Sequence, residues 1–338
     1  MRVVVLGGGA QGRYVTENLR DEGVEVTVLD VRELSIPGIE CIKGDIRETE
    51  PGFFRQFDLV VDALPSSFGR MVMEKCIEGR KNLVSVSFMR ENYLDFHPEA
   101  EKAGITIIPD AGVAPGLSNV LVGLGVLKLK KPERVVIKVG GFPENPSPPL
   151  FYELTWCFDD LIEEYTRPAR IKRNGKIQTV DPLSTMQREG EGLESFTTDG
   201  LRSLLYTLPV PDMEERTLRP QGHLAVMRIL KDLGAFEDRK RLKSVLSPWL
   251  KKRSKDILKL RVEIHGEKVL YFELEEKERD GITAMTRTTA LSLFSFTKLM
   301  LEGRERKRGV IPPELITEKE GFLELLEGKG IKIKGGEG

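Results

Sequence analysis

The sequence predicts an α/β chain, with an N-terminal doubly wound parallel sheet followed by a second α+β domain of mixed sheet. Three observations predict it. A β-branched strand, Val3-Val4-Val5-Leu6, runs straight into a glycine loop and then a helix. The first third goes on alternating apolar runs with helical segments, as strands buried on both faces require. Beyond Gly116 the pattern changes to strands with one wet face, joined by tight turns.

The glycine loop is Gly7-Gly8-Gly9-Ala10-Gln11-Gly12. Gly7-x-Gly9-x-x-Gly12 has the spacing of the dinucleotide fingerprint. Gly7 allows the tight turn, Gly9 lets a pyrophosphate approach the backbone, and Gly12 lets the helix pack closely on the strand. The helix from about Gln11 to Asp21 opens at Ala10 and Gln11 with free N–H groups and the positive end of its dipole. The next strand, Val24 to Asp30, ends in a carboxylate. Asp30 there can accept hydrogen bonds from both ribose hydroxyls and would repel a 2′-phosphate, which favours NAD over NADP. Arg32 works against that preference, because it can pair with a 2′-phosphate.

Further parallel strands are expected at 39–45, 58–64, 82–88 and 105–110, with a crossover helix over Gly69–Gly79 whose Met71, Val72, Cys76 and Ile77 face inward. Ligands of such Rossmann sheets lie beyond the carboxyl ends of the strands. This puts Asp45 and Ile46 near the adenine, Leu64 and Pro65 near the middle of the cofactor, and Ser87, Asp110, Gly112 and Pro115 toward the nicotinamide.

After a helix at about 116–127, strands are expected at 134–140, 151–157 and 170–180, the last broken by the hairpin turn Asn174-Gly175. Residues 257–264 alternate Leu258, Leu260, Val262 and Ile264 inward with Lys259, Arg261 and Glu263 outward, then turn at His265-Gly266. Residues 141–149 form a proline-rich loop, and a helix follows from Thr288 to Glu302. The charged stretch Glu318–Gly338 reads as a partly helical, frayed tail. The domains read as 1–116 plus 288–338 for the nucleotide and 117–287 for the substrate.

With 338 residues and a formal net charge of -1, the chain has room for two cores and no global field for nucleic acid. The three cysteines are too scattered for a zinc site or a disulfide framework, so no metal is expected. No signal peptide or membrane-spanning apolar run is visible, and a soluble cytoplasmic protein is the expectation. The 31% charged content, with few amides, resembles that of proteins from hot environments.

Four further segments occur in a telling order: Asp110-Ala111-Gly112-Val113-Ala114-Pro115-Gly116-Leu117-Ser118-Asn119, the stretch 160–169, Glu194–Gly200, and Thr217-Leu218-Arg219-Pro220-Gln221-Gly222-His223. With the glycine loop they resemble the saccharopine dehydrogenase (reductase) family over roughly residues 1–315, most closely its lysine 6-dehydrogenase branch. The resemblance implies a Rossmann domain, a substrate domain whose sheet often builds a homodimer, and a late helix returning to the nucleotide domain. It also implies NAD-dependent oxidation of the ε-amine of L-lysine to an aldehyde, which cyclises to a piperideine carboxylate as ammonia leaves. Saccharopine reductases usually read Gly-Leu-Asp-Pro-Gly-Ile-Asp-His where this chain has Gly112–Asn119. Here Ala114, Ser118 and Asn119 replace the two acids and the histidine, which favours a smaller substrate than saccharopine.

Such chemistry needs a neutral amine before hydride leaves, a cation for the substrate carboxylate and an anion for its ammonium. Arg219 is the first choice for the carboxylate, with a surface ion pair as its alternative. His223 is a candidate base or carboxylate contact, or a packing histidine. Asp110 is a proton acceptor or a loop brace. Glu153 can receive the ammonium if it faces the cleft, and Trp156 can line the pocket or pack in the core. Arg167 fits substrate binding or a structural ion pair. The alternatives to lysine oxidation are a saccharopine-like or carboxylated-polyamine C–N reductase, and an NAD-binding protein without chemistry.

Overall fold

Val3, Val4, Val5 and Leu6 have no exposed surface, the environment that a β-branched run between two helical layers requires. A computed structural model of the chain describes all residues from Met1 to Gly338. Strands are numbered along the chain: β1 (Arg2–Leu6), β2 (Glu25–Asp30), β3 (Glu40–Lys43), β4 (Leu59–Asp62), β5 (Leu83–Ser85) and β6 (Thr106–Ile108). With β15 (Gly309–Val310) they form a seven-stranded sheet, order β15-β6-β5-β4-β1-β2-β3, in which every pairing is parallel. The order 3-2-1-4-5-6 is that of the dinucleotide-binding Rossmann sheet. The crossover helix Gly69–Gly79 buries Val72, Met73 and Cys76. Met73 thus faces in where Met71 was expected, and Met71 and Ile77 are half-buried. Phe54, Tyr93, Leu83 and Ile107 complete this core.

The second sheet has nine strands: β7 (Arg134–Pro143), β8 (Ala169–Arg173), β9 (Lys176–Val180), β10 (Gln187–Gly190), β11 (Leu193–Thr198), β12 (Asp212–Pro220), β13 (Asp256–His265), β14 (Val269–Lys277) and β16 (Lys334–Glu337). The β7–β12 pair is parallel and the rest antiparallel, so the sheet is mixed. Its β13 alternates as the sequence requires, with Leu258, Leu260, Val262 and Ile264 buried. Asn174 and Gly175, both at positive φ (49° and 76°), close the β8–β9 hairpin.

Two compact units result: Met1–Gly123 with Thr286–Ile331, and Leu124–Met285 with Lys332–Gly338. The first boundary falls after Gly123 rather than Gly116, and the second just before the expected Thr288. The last residues depart more from expectation. The helix Lys319–Gly328 buries Phe322 and Leu326 in the first unit. Then β16 pairs with β14 in the second. Glu318–Gly338 is therefore no frayed tail; spaced apolar residues inside a charged stretch anchor it.

The segment 151–157 is also not a strand. Only Leu154 makes an isolated bridge, to Lys251, and Phe151 has positive φ. Aromatic content there serves packing rather than sheet pairing: Tyr152 belongs to the second core, with Trp156 against it. No helix is long and apolar enough to cross a membrane.

A Cβ on Gly12 would lie 1.8 Å from the Gly7 carbonyl oxygen, whereas one on Gly9 would meet nothing within 4 Å. Gly12→Ala should therefore force helix and strand apart and lower stability by about 1–3 kcal/mol or more in urea unfolding. Gly9→Ala should stay within about 0.5 kcal/mol of the parent.

Candidate functional site

In the first unit, the strand–loop–helix geometry builds a phosphate cradle. Gly7 takes φ +91° and its N–H donates to the Leu29 carbonyl at 2.8 Å. The helix Ala10–Asp21 starts at Gly9 with no side-chain cap, so its first N–H groups, near Ala10 and Gln11, stay available. Together with the open space over Gly9 and the close seat of Gly12, this arrangement fits the pyrophosphate of a dinucleotide.

Asp30, at the end of β2, is already engaged. Its Oδ2 accepts from the Gly8 N–H at 2.7 Å and from Arg32 Nη2 at 2.9 Å; Oδ1 accepts from Arg32 N and Nε at 2.8 and 2.9 Å. The Arg32 guanidinium, backed by these backbone donors, holds the Asp30 carboxyl down at about 2. Arg32 itself is 60% exposed, so a carboxylate and a movable cation share the position beside the expected adenosine ribose.

The remaining rim residues separate into two groups. Asp45 stands at the rim in a fork with Arg47, which lowers its carboxyl pKa. Ile46, expected beside it, is 5% exposed and belongs to the core. Leu64 is half-buried and Pro65 exposed beyond β4, and Ser87 lies beyond β5. These loops are tied together by the last residue of β4, to which the sequence analysis gave no role. Asp62, fully buried, accepts at Oδ2 from Ser85 and Ser87 hydroxyls, each 2.7 Å, and at Oδ1 from the Leu64 N–H at 3.0 Å. Burial pushes the Asp62 carboxyl pKa up. A lone carboxylate in an apolar strand was the available signal, since such a group must find donors where water is absent.

Asp110 is buried beyond β6 in left-handed backbone (φ +50°). Gly112 accepts from the Ser292 hydroxyl at 2.6 Å, and Pro115, also buried, follows Ala114 in a cis peptide bond. Asn119, where reductases carry histidine, is fully buried. It accepts from the Gly116 N–H at 3.3 Å and donates to Glu314 at 3.1 Å.

In the second unit, three expected residues, Arg219, His223 and Trp156, fall together. Arg219 on β12 is 2% exposed. Its Nη2 pairs with Glu164, its Nε donates to the Tyr165 hydroxyl at 3.2 Å, and its Nη1 donates to the Leu218 carbonyl at 2.9 Å. The Tyr152 ring lies 4.6 Å from the guanidinium carbon, and Trp156 Nε1 donates to the Tyr152 hydroxyl at 3.1 Å. His223, at the start of the helix His223–Asp232, has no exposed surface. Its Nδ1 is 2.6 Å from the Leu150 carbonyl and its Nε2 2.8 Å from the Tyr165 hydroxyl. A carbonyl only accepts, so Nδ1 carries the proton and Nε2 accepts from Tyr165. The donors therefore run one way, from Arg219 to Tyr165 to His223 to Leu150. Burial, then the Arg219 charge, hold the His223 pKa down at about 3.

Two expected residues are committed elsewhere. Glu153 Oε2 accepts from the Arg253 and Ser254 N–H groups at 2.7 and 2.9 Å, bracing the turn before β13. Arg167 pairs with Asp199 at 2.8 Å, beside Arg170 on the same carboxylate. Glu164 was missed. It sits in the helix Phe158–Thr166 next to another glutamate, and nothing in the pattern separates the two.

This sheet order with its glycine cradle defines a two-unit dinucleotide-binding protein of α/β class. Residues 3–108 match the family model described as saccharopine dehydrogenase NADP binding domain, and residues 112–331 that of the saccharopine dehydrogenase C-terminal domain. The chain belongs to the saccharopine dehydrogenase family. It is 30% identical over 223 residues to an alpha-aminoadipic semialdehyde synthase of Arabidopsis thaliana, covering 60% of this chain and 21% of that one. It is 24% identical over 264 residues to the saccharopine dehydrogenase [NADP(+), L-glutamate-forming] of Saccharomyces cerevisiae, covering 70% and 58%. The chain thus spans about a fifth to three fifths of the length of these relatives. The fold is that of the yeast saccharopine dehydrogenase (L-Glu forming) structure, with TM-score 0.83 over 100% of this chain and 99% of that one at 19% identity.

His223 supplies a pH test. Its folded pKa lies below the unfolded value, so its contribution is full above about 6.5 and is lost as pH falls toward 3. Across that window it should cost about 1.4 kcal/mol of stability per pH unit, and His223→Gln should flatten the slope of urea midpoint against pH. Arg219→Met should lower stability by about 3 kcal/mol, the low end for buried pairs because Glu164 keeps some water. Adding Glu164→Leu should recover most of the loss.

Proposed function

We propose that the chain is a pyridine-nucleotide-dependent oxidoreductase acting on the C–N bond of a lysine-derived substrate. In the reading favoured here it oxidises the ε-amine of L-lysine with NAD. Family membership supports the class. The observation that carries the lysine reading is the loop Gly112–Asn119. Its Ala114 and Ser118 offer no carboxylate, and Asn119 is turned inward onto Gly116 and Glu314. A substrate as large and polar as saccharopine would lack the partners that reductases carry there.

Gly7, Gly9 and Gly12, the first turn of the helix Ala10–Asp21 and Asp30 would hold the nucleotide, which supplies the hydride acceptor. The amine must lose its proton before hydride leaves C6. The resulting iminium takes up water, giving the aldehyde and ammonia. His223 is poorly suited to take that proton, because it is neutral with its Nε2 already accepting from Tyr165.

One observation favours a second reading. Arg32 is mostly exposed beside Asp30, and the Saccharomyces cerevisiae relative named above is NADP-dependent by name. Saccharopine with NADP is therefore the alternative substrate pair. We further propose a homodimer built on the second sheet, where Thr197, Arg216, Lys138, Arg261 and Glu273 stand directly opposite one another across five strands. Sedimentation should give twice the 38.1 kDa chain mass.

Absorbance at 340 nm separates the enzymatic readings. NADH with equimolar ammonia from L-lysine is the expected result. Turnover only of saccharopine, with NADP, would move the chain to the reductase reading, and silence with all substrates despite nucleotide binding would remove the enzyme reading. Arg32→Ala should leave NAD affinity within about twofold and weaken NADP by about tenfold, one charge-assisted phosphate contact.

A further inference from the structure

Of the charged groups in the buried array of the second unit, only one reaches water. Arg219 is 2% exposed, and Tyr165 and His223 have no exposed surface, while the Glu164 side chain is 25% exposed. Glu164 Oε2 is held by Arg219, and Oε1 makes no bond within the protein. The arginine behind it is fixed in turn by Tyr165, the Leu218 carbonyl and the Tyr152 ring. Asp160, one turn earlier on the same helix, adds a negative charge near enough to act on Glu164. What this array offers to a solute is thus a carboxylate oxygen, clamped in one orientation, with its guanidinium behind it.

We infer that Glu164 receives the positively charged amino group of the substrate, with Arg219 as its positioning residue rather than as a fork for the substrate carboxylate. Three donors of Arg219 are bound internally and its charge is already matched. Drawing it onto a substrate carboxylate would leave Glu164 facing a second anion. An ammonium at Oε1 instead completes an alternating row of cation, carboxylate and guanidinium, and its contact is charge-assisted. Glu153, the other glutamate considered for this role, spends its oxygen on the backbone of Arg253 and Ser254. The assignment rests on the reading that the substrate is an amine, and it makes that amine's charge a determinant of specificity.

The test uses the full chain with NADH bound and two five-carbon probes of opposite charge, 1,5-diaminopentane and glutarate, followed by calorimetry. The parent protein should bind the diamine in preference to glutarate. Glu164→Gln should weaken the diamine by about tenfold or more, the worth of one charge-assisted hydrogen bond, with NADH affinity unchanged. Glu164→Asp should restore part of the loss. Should Glu164→Gln fold poorly, Glu164→Gln with Arg219→Met removes both charges and should show the same loss. Preference for glutarate, strengthened by Glu164→Gln, would overturn the assignment and return Arg219 to the carboxylate. So would diamine affinity indifferent to residue 164. Diamine binding through Glu164 without lysine turnover would support it while removing the dehydrogenase reading. Lysine turnover with a KM unaffected by Glu164→Gln would do the reverse.

Discussion

A guanidinium with almost no access to water organises the second unit. Moving such a charge out of water is tolerable only when an anion and fixed dipoles replace the solvent. Arg219 obtains Glu164 from one helix, the Tyr165 hydroxyl from the same helix, the Leu218 carbonyl from its own strand and the Tyr152 ring from the loop after the proline-rich segment. Each partner comes from an element that must be in place before the charge is matched. The consequences reach further: Tyr165, having accepted from Arg219, gives its proton to His223, and that fixes the tautomer and the contact to Leu150. One buried charge thereby ties β12, two helices and a loop into a single arrangement.

The first unit is governed by sterics rather than charge. Its defining contact is the approach of Gly12 to the Gly7 carbonyl, which no other residue permits. That approach aims the helix start at the place where β1 ends. Farther along the rim, Asp62 does with hydrogen bonds what the glycines do with space. Three donors, one from the loop after β4 and two from the end of β5 and the loop beyond it, converge on its carboxylate. The rim is therefore braced from beneath, and the residues beneath it decide where Leu64 and Ser87 stand.

What the sequence made legible follows this division. Parallel β-branched runs, the glycine spacing and the alternation of β13 are local patterns, and each corresponds to an element of the structure. Asn174-Gly175 marked its hairpin because both positions need positive φ. Local patterns do not reveal which distant partner a polar residue finds. Glu153 and Glu164 look equivalent in the sequence, yet one braces a backbone turn a hundred residues away and the other pairs with Arg219. Ile46 follows Asp45 on the rim and turns into the core instead. The aromatic run 151–157 has the composition of a strand, and packing around Arg219 claims it. The C-terminal stretch misleads for the opposite reason: its charge hides Phe322 and Leu326, whose burial anchors it.

The same charge logic bears on the amine proposed as substrate. Lysine offers two ammonium groups and one carboxylate, whereas saccharopine carries three carboxylates. In the proposal, Glu164, the member of the buried array that reaches water, suits the less anionic molecule, and so, taken by itself, does a loop whose Ala114 and Ser118 bear no charge. At the nucleotide end the balance is different, because Asp30 and Arg32 pair with each other and only Arg32 is largely exposed. If Arg32 swings outward, Asp30 keeps the Gly8 N–H and regains a free oxygen for ribose hydroxyls. If a 2′-phosphate captures Arg32, Asp30 loses its strongest partner and faces an anion. The first exchange replaces one hydrogen-bonded arrangement with another, while the second sets two negative groups side by side, and the proposal of NAD rests on that asymmetry.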